Sequence, residues 1–426
     1  MIQKGKEMKK IVMACGDGMF NLGDEAIIAS FLPEIKKQIK NHDKNINNKK
    51  VKIKVFSSNN KKTKELHNIN SIKLDISVKG LIKNIPSIIK NYSKMDLLVW
   101  GGGNLISDGS SILYTPFHLI KIILAKLLGK KVAVYGIGVG PLNGWFVKTW
   151  TRLILNNVEL ITVRDENSKK LLRKAGVKKK IYVTADPAFC LEAINRKQAI
   201  KKLEKEGIVN NFTKNNSKQP LIAIVPRRVF HRKSKSIIPV KYKVKFGMID
   251  KKSKNKFKKF VNDLSKTADF LVEKYNAKIV FIPMQMISAQ EQEDHKISKE
   301  IIKKMQHKEN AVIINSYNYS SQELKAVYGL MKLIIGIRFH SIVLGSSMNV
   351  PVVSLPYSLK GKRLTKLLEL EKYSLNVEDV SYSALVSKIN MILKDEKKVK
   401  KGLKKKIEIL QAKSKFNVKL IARMLQ

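Results

Sequence analysis

Short apolar, β-branched runs alternate along this chain with longer segments of helical periodicity. The runs predict buried strands in the first half at residues 10–15, 51–57, 96–100, 132–136, 160–163 and 181–183. In the second half they predict strands at residues 221–225, 278–282, 311–315, 333–337 and 352–355. Strands that alternate with helices form parallel sheets covered by helices. The pattern therefore predicts the α/β fold class.

A polar, lysine- and asparagine-rich segment at residues 196–219 separates the two groups of strands and is typical of a connector. Residues 1–195 and 220–395 are then two Rossmann-like domains, whose parallel sheets are expected to face each other across a cleft. The length of 426 residues agrees with this division, since a domain has about 150 residues. Residues 396–426 show a basic amphipathic pattern, which predicts a C-terminal helix.

The charge of the chain is extreme. Lys and Arg total 84, Asp and Glu total 34, and the net charge is +50. Such a balance favours anionic partners: phosphorylated substrates, an anionic membrane or nucleic acid. The lysines are scattered over the whole chain, aromatic residues make up 7%, and no nucleic-acid-binding motif is present. We therefore do not expect nucleic acid as a partner.

Cysteine usage and hydropathy predict a cytoplasmic protein. Cys15 and Cys190 are far apart and lack metal-ligand spacing, so we expect free thiols in a reducing compartment and no metal. The N-terminus is polar and has no apolar signal core. The most apolar stretch, at residues 112–128, is broken by a histidine and two lysines, so no membrane-spanning helix is predicted.

Residues 331–363 contain the densest group of candidate functional residues. Arg338, Phe339 and His340 follow one predicted strand, and Lys360 follows the next. In a parallel sheet both strand ends open onto the same edge, where ligands bind. This edge thereby brings together a guanidinium, an imidazole and an ammonium group, a set that suits a small, multiply anionic ligand that also receives a proton. A purely structural histidine is the alternative.

The first glycine-rich loop, GDGMFNLGDEA at residues 16–26, follows the first predicted strand. Its glycines permit a tight turn, Asn21 or Asp24 can cap the helix that begins there, and a helix N-terminus favours phosphate. The spacing differs from GxGxxG, and the next strand ends in VFSSNN without an acidic residue. Both departures disfavour a dinucleotide site. A loop that only shapes the fold is the alternative.

Two more glycine-rich loops follow predicted strands: GGGNLISD at residues 101–108 and YGIGVGPL at residues 135–142. Gly102, Gly103 and Asn104 offer a backbone surface that a ligand can contact. Asp108 is a candidate to accept hydrogen bonds from sugar hydroxyls or to act as a base. We interpret three such loops in one domain as a binding surface rather than as turns alone.

Three further strand ends carry charged residues. Arg164 in TVRDENS faces the same sheet edge. Asp186 in DPAF is interpreted as a turn and capping residue. Arg227 or Arg228 in VPRR, after the first strand of the second domain, is expected to join Arg338 in binding an anion.

These motifs occur in the order, and at roughly the spacing, seen in one enzyme family. Over residues 11–370 the chain resembles polysaccharide pyruvyl transferases, on the segments GDGMFNLGDEAI, WGGGNLISD, YGIGVGPL, TVRDENS, DPAF, IRFHS and PVVSLPYSLKGK. The resemblance implies a GT-B-like fold, with the acceptor on the N-terminal domain and phosphoenolpyruvate as donor on the C-terminal domain. It implies no cofactor. The most similar branch is that of cell-wall enzymes that place a pyruvyl ketal on a lipid-linked amino sugar.

The resemblance also implies roles for individual residues. In the family, an R-x-H motif, a lysine after the next strand and the arginine of the VRD motif serve the donor or catalysis. Here these are Arg338, His340, Lys360 and Arg164. His340 is then the candidate general acid that protonates phosphoenolpyruvate. Asp108 or Asp24 is the candidate that activates a sugar hydroxyl.

The full set of residues expected to bind substrate comes from both predicted domains. It comprises Arg338, Phe339, Lys360, Arg164, Arg227, Arg228, Asn21, Gly102, Gly103 and Asn104. One departure from the family lies close to this set. Ser358 and Leu359 stand where the family often has an Asp-Pro pair, so we expect a different loop shape before Lys360.

Residues 144–153, GWFVKTWTRL, place Trp145, Thr149, Trp150 and Leu153 on one helical face, with basic residues beside it. This pattern is typical of peripheral contact with an anionic membrane. Such contact at the inner face of the cell membrane suits a lipid-linked acceptor. A helix packed in the core is the alternative.

Two other functions stay open at this point. A nucleotide-sugar glycosyltransferase of the same fold requires an acidic residue that binds ribose, and Asp294 or Glu323 is available for that role. A non-catalytic basic protein that binds an anionic polymer or membrane predicts binding that salt abolishes, without donor turnover.

Overall fold

The structure is a computed structural model that contains two parallel sheets, one in each half of the chain. It describes residues 8–15, 21–42, 51–75, 78–109, 111–209, 219–230, 250–285 and 293–425. Of the first glycine-rich loop, residues 16–20 lie outside the described residues, whereas the part from Asn21 onward is described.

In the described residues, the N-terminal sheet has seven parallel strands in the order β3-β2-β1-β4-β5-β6-β7. The strands are β1 (Lys10–Ala14), β2 (Lys52–Ser57), β3 (Asn70–Lys73), β4 (Leu97–Gly101), β5 (Lys131–Ile137), β6 (Leu160–Val163) and β7 (Ile181–Val183). The helices of this half are α1 (Leu22–His42), α2 (Asn60–His67), α3 (Val78–Lys94), α4 (Tyr114–Leu127), α5 (Trp145–Leu155) and α6 (Glu166–Lys174). Two apolar clusters cover the two faces of the sheet.

The C-terminal sheet has five parallel strands within the same described ranges, in the order β10-β9-β8-β11-β12. The strands are β8 (Leu221–Val225), β9 (Lys278–Phe281), β10 (Ala311–Ile313), β11 (Leu333–Gly336) and β12 (Val352–Ser354). The remaining helices are α7 (Arg196–Lys205), α8 (Lys251–Tyr275), α9 (Glu293–Lys304), α10 (Ser321–Tyr328), α11 (Phe339–Ser347), α12 (Leu359–Leu367), α13 (Tyr382–Lys394) and α14 (Glu396–Arg423). None of the helices described is both long enough and apolar enough to cross a membrane.

The two parallel sheets confirm the α/β class predicted from the sequence. Each predicted strand is present, and its ends agree with the observed ends to within two residues. The pattern does not predict β3, because this edge strand has the sequence NSIK and buries only Ile72. The predicted connector begins as a helix, α7. Its apolar residues Ala199 and Leu203 are four positions apart, so both are buried on one side of the helix.

The start of α1 attaches to the C-terminal domain. The Leu22 N–H donates to the Met284 carbonyl at 3.1 Å, and the Leu22 carbonyl accepts from the Ser321 hydroxyl at 3.1 Å. One hydrophobic cluster also continues from β1 through α1 into the C-terminal sheet. These contacts hold the two domains against each other, so the carboxyl ends of both sheets border one shared space.

The last helix, α14, returns to the N-terminal domain and packs against α1 and the short 3₁₀ helix Pro187–Cys190. Its buried residue Asn417 donates to the Ala185 carbonyl at 3.1 Å and accepts from the Thr184 hydroxyl at 2.7 Å. The end of the chain thereby joins the two domains a second time.

Replacing Asn417 with Ala removes both of these hydrogen bonds and leaves the buried Ala185 carbonyl without this donor. We expect Asn417→Ala to lower the free energy of unfolding by about 2–4 kcal/mol, as for other buried polar groups that lose their partners. Urea denaturation followed by circular dichroism measures this change. Lys404→Ala, at an exposed position of the same helix, is the control. Equal losses in the two variants would contradict a joining role for Asn417.

Candidate functional site

A cavity of about 510 Å³ lies between the two domains, at the carboxyl ends of both sheets. Loops after β4, β5 and β6 and the start of α1 border it from the N-terminal side. Loops after β8, β9, β11 and β12 border it from the other. The residues predicted to bind or react that line this cavity are Asn21, Asp24, Gly103, Asn104, Arg164, Arg227, Arg338, Phe339, His340 and Lys360. Residues from distant parts of the sequence therefore meet at one site.

His340 lies in the first turn of α11 and reaches across to the N-terminal domain. Its ring packs on Gly23, where any β-carbon would collide with Nδ1. Its Nε2 lies 3.8 Å from Asp186 Oδ1, and 11% of the side chain is exposed. The imidazole is thus clamped between α1 and the loop after β7 while it still lines the cavity.

Asp186 links His340 to Arg164 and was assigned only a capping role from the sequence. Its Oδ1 accepts from the Ala188 N–H at 3.0 Å, which confirms the cap, and its Oδ2 accepts from Arg164 Nη1 at 3.0 Å. Burial by itself raises the pKa of Asp186, but the nearby His340 and Arg164 outweigh it, so the pKa lies below its ordinary value. Asp186 is therefore an ionised carboxylate that contacts both the Arg164 guanidinium and the His340 imidazole.

The ring of Phe339 contacts three basic side chains, those of Arg164, Lys360 and His340. The Arg164 guanidinium lies 4.3 Å and the Lys360 ammonium 5.6 Å from the ring centroid. The His340 ring stands edge-to-face against it, with centroids 5.1 Å apart. Cations within about 6 Å of an aromatic face are attracted to it. Phe339 therefore holds three basic groups around one point without neutralising their charge.

Several residues that line the cavity have a buried polar atom without a hydrogen-bond partner among the described residues. These atoms are Arg164 Nη2, His340 Nε2, Asn104 Oδ1 and Ser358 Oγ. Buried polar groups in native proteins are hydrogen-bonded in at least about 90% of cases. Such a cluster of exceptions around one cavity is typical of a site for a polar ligand.

The structure changes the role expected of Arg338. Its Nε donates to Asp294 Oδ2 at 2.9 Å, and its Nη2 donates to Asp294 Oδ1. Asp294 is fully buried and also accepts the N–H groups of Met284 and Gln285 at 3.1 and 3.2 Å. This pair neutralises the charge of Arg338 at the cavity wall. The sequence did not reveal it, because the partners are 44 residues apart in different elements.

The two candidates for the ribose-binding acidic residue of a nucleotide-sugar enzyme, Asp294 and Glu323, both have other partners. Asp294 is occupied by Arg338, as described above. Glu323 closes a capping box with Ser320 at the start of α10 and pairs with Lys202 at 2.7 Å. Both carboxylates thus have structural partners, and neither lines the cavity.

The structure separates the two candidates Arg227 and Arg228. Arg227 lines the cavity, with its guanidinium 4.6 Å from the centroid of the Tyr357 ring. Arg228 points away from it, over Phe257 at 4.5 Å and 3.7 Å from Glu300. Of the two, Arg227 is in a position to meet an anion in the cavity.

Asp24 is an acidic residue that lines the cavity, and its environment is unusual for a carboxyl group. Asn21 caps α1 by accepting from the Gly23 N–H at 3.1 Å, and it donates to Asp24 Oδ2 at 2.9 Å. Burial raises the pKa of Asp24 to about 6, although the charges of His340 and Lys360 lower it. A carboxyl group with such a pKa exchanges protons near neutral pH, as acid–base catalysis requires.

Asp108 and Gly102 lie outside the cavity lining, and structural roles account for them. Asp108 Oδ2 accepts from the N–H groups of Asn143 and Gly144, both at 2.6 Å, and so fixes the start of α5. Gly102 has a φ of +79°, and a β-carbon there would lie 2.5 Å from Cys15 Sγ. Its neighbours Gly103 and Asn104 do line the cavity. The catalytic role predicted for Asp108 is thus not supported by its position.

The family model of the polysaccharide pyruvyl transferases matches residues 21–358. None of the curated proteins matches the chain significantly. A glycosyltransferase from Rickettsia africae is similar in structure, at 16% identity over 99% of each chain with a TM-score of 0.57.

Two epimerases are similar in structure as well. The UDP-GlcNAc 2-epimerase from Neisseria meningitidis, bound to UDP-GlcNAc, has 12% identity over 98% of this chain and 99% of its own, with a TM-score of 0.57. The UDP-GlcNAc 2-epimerase from Methanocaldococcus jannaschii has 15% identity over 91% and 93%, with a TM-score of 0.55. At such identities the likeness concerns the fold alone, and it confirms the predicted GT-B-like arrangement.

The raised pKa of Asp24 makes the stability of the protein depend on pH. Folded Asp24 binds its proton more tightly than unfolded Asp24, so stability falls as pH rises from 3.8 to about 6. The full loss is about 3 kcal/mol, at about 1.36 kcal/mol per pKa unit. We expect Asp24→Asn to exceed the wild type in free energy of unfolding by up to about 3 kcal/mol at neutral pH.

Denaturant titrations at several pH values measure this difference. It should shrink as the pH falls through 6 and vanish below the ordinary value of 3.8. A difference that stays constant over this range would show that Asp24 titrates normally in the folded protein.

Proposed function

The chain belongs to the polysaccharide pyruvyl transferase family, and on that premise we propose that it transfers a pyruvyl group from phosphoenolpyruvate to a sugar. The acceptor is a precursor of a cell-wall or surface polysaccharide, carried by a lipid. The product is a pyruvate ketal, and phosphate is released. The observation that carries the proposal is the cavity in which Arg164, Lys360 and His340 surround Phe339.

Phosphoenolpyruvate has a carboxylate and a phosphate, so it requires several cations. Arg164 contributes Nη2, which is buried at the cavity without a hydrogen-bond partner in the described part of the chain. Arg227 and Lys360 line the same cavity from the C-terminal domain. Charge-assisted hydrogen bonds from such groups are about twice as strong as neutral ones. These three side chains bind the donor, and Arg338 with Asp294 forms the rigid wall behind it.

His340 supplies the proton that starts the reaction. Its Nε2 gives a proton to the methylene carbon of phosphoenolpyruvate, and the neighbouring carbon becomes an oxocarbenium ion. A sugar hydroxyl attacks this carbon, and Asp24 takes the proton of that hydroxyl. Asp186 keeps the imidazole in place through its contact at 3.8 Å.

The second step closes the ketal ring. A second hydroxyl attacks the same carbon and displaces phosphate, and the bond between this carbon and the phosphate oxygen breaks. The neutral His340 takes the proton of the second hydroxyl, while Asp24 passes its proton to the departing phosphate. Both groups thereby return to their initial states. The pKa of about 6 for Asp24 suits such a reversible role.

We expect His340→Ala to lower the rate of transfer by about 10²–10⁴-fold, the usual contribution of a general acid. Release of phosphate from phosphoenolpyruvate in the presence of a glycan acceptor measures the rate. Thermal unfolding shows in parallel that the variant is folded. Unchanged turnover in a folded variant would refute the role of His340. Turnover of nucleotide-sugars in place of phosphoenolpyruvate would support the glycosyltransferase alternative instead.

Lys360 and Lys362 provide a matched pair on the same helix. Lys360 lines the cavity, whereas Lys362 is exposed and borders a different cavity. We expect Lys360→Gln to raise the KM for phosphoenolpyruvate about 10-fold or more, because a charge-assisted contact contributes about 1.5–3 kcal/mol. Lys362→Gln should leave this KM unchanged. Equal effects in both variants would indicate a general effect of positive charge rather than a contact with the donor.

A further inference from the structure

Two helices of the N-terminal domain expose apolar stripes. The stripe on α4 begins at its N-cap residue and continues along the helix, and α5 adds two large side chains. The six residues are Leu113, Phe117, Ile120, Leu127, Trp145 and Leu153, each exposed by at least 41%. α4 and α5 pack against each other, and both bury their inner sides in the apolar cluster on one face of the sheet. Their exposed residues therefore lie on the outer surface of the same side of the domain. We call these six residues and the basic residues of the two helices the α4–α5 face.

The charge of the α4–α5 face has one sign. The helices contribute Lys121, Lys126, Lys148 and Arg152, and neither contains an acidic residue. From outside the face, Glu159 pairs with Lys126 at 2.6 Å. Apolar side chains flanked by cations are typical of helices that lie on anionic lipid, and tryptophan is enriched at that interface.

The same charge argues against a second copy of the chain as the occupant. A symmetric dimer through this face would place identical surfaces opposite one another. Lys148 and Arg152 would then face their own kind, whereas an anionic lipid surface complements them. Charge complementarity therefore favours lipid.

The α4–α5 face begins beside the cavity. Tyr114, the first residue of α4, lines the cavity together with Ser107 and Pro141, and Leu113 directly precedes it. On the α5 side, Asp108 accepts from the N–H of Gly144, the residue before Trp145. A sugar in the cavity that is linked to a lipid thus has its lipid tail next to this face.

We propose that the α4–α5 face contacts a bilayer of anionic phospholipid and holds the cavity next to lipid-linked acceptors in that bilayer. The identity of the acceptor rests on the proposed function. The contact with the bilayer rests on the exposed side chains and charges of the face, and it can be measured without any reaction.

Ile120 and Ile409 are a matched pair, since both are helical isoleucines with nearly equal exposure, 54% and 53%. Ile409 belongs to α14, whose buried residues join the cluster on the opposite face of the N-terminal sheet from α4 and α5. Sedimentation with vesicles of phosphatidylcholine and phosphatidylglycerol measures binding, and vesicles of phosphatidylcholine alone are the neutral comparison. We expect binding to the anionic vesicles, with a partition coefficient about five-fold lower for Ile120→Ser and Trp145→Ser. Ile409→Ser should bind like the wild type.

Three outcomes would overturn the proposal: no binding to anionic vesicles at low salt, equal losses for Ile120→Ser and Ile409→Ser, or wild-type binding by Ile120→Ser and Trp145→Ser. Loss of a dimer in Ile120→Ser, seen by light scattering with unchanged vesicle binding, would identify a second copy as the occupant. Phosphate release with a soluble, lipid-free acceptor tests the proposed function separately. We expect that activity to be the same in Ile120→Ser and wild type.

Discussion

The buried carboxylate of Asp186 is the interaction on which the site depends. It binds Arg164 from its own domain and lies within ion-pair distance of His340 from the other domain. A buried carboxylate stays ionised only when nearby groups compensate its burial, and His340 and Arg164 lower the pKa of Asp186 in this way. The imidazole reaches Asp186 because Gly23 leaves room for its ring. The relative position of the two domains is thereby fixed at the atoms that the proposed reaction uses.

The cavity distributes its positive charge unevenly. Arg338 is neutralised by Asp294 in a buried, bidentate pair, so it contributes rigidity more than attraction. Arg164 also has a carboxylate partner, yet its Nη2 lacks a hydrogen-bond partner within the described ranges. Phe339 gathers Arg164, Lys360 and His340 by contacts that leave their charge in place. The proposed donor, which is multiply anionic, therefore meets cations that are already positioned, and this lowers the entropy lost on binding.

The fold and the family answer different questions about this protein. Glycosyltransferases and epimerases share the arrangement of two parallel-sheet domains, but at 12–16% identity that likeness carries no chemistry. The family match, over residues 21–358, covers the residues that line the cavity except Leu359 and Lys360. Asp294 and Glu323 argue against the nucleotide-sugar alternative. Both are occupied by structural partners, so neither offers the ribose contact which that alternative requires.

Much of the site followed from the sequence because the strands are parallel and alternate with helices. That connectivity sends the strand ends of each sheet to one edge, so His340 and Lys360 were placed together from the sequence. Arg164 belongs to the other sheet, and the predicted cleft between the two domains brought it to the same side. The α/β class and the strand positions followed from the same periodicity. This periodicity does not predict which polar side chains pair with each other. Three contacts join residues of separate elements: Arg338 with Asp294, His340 with Asp186, and Asp108 with the N–H of Gly144 at the start of α5. The spacing of apolar residues along the sequence specifies which face of a helix or strand is buried. Only the packed tertiary structure decides which polar groups pair with each other and which are left to bind a ligand.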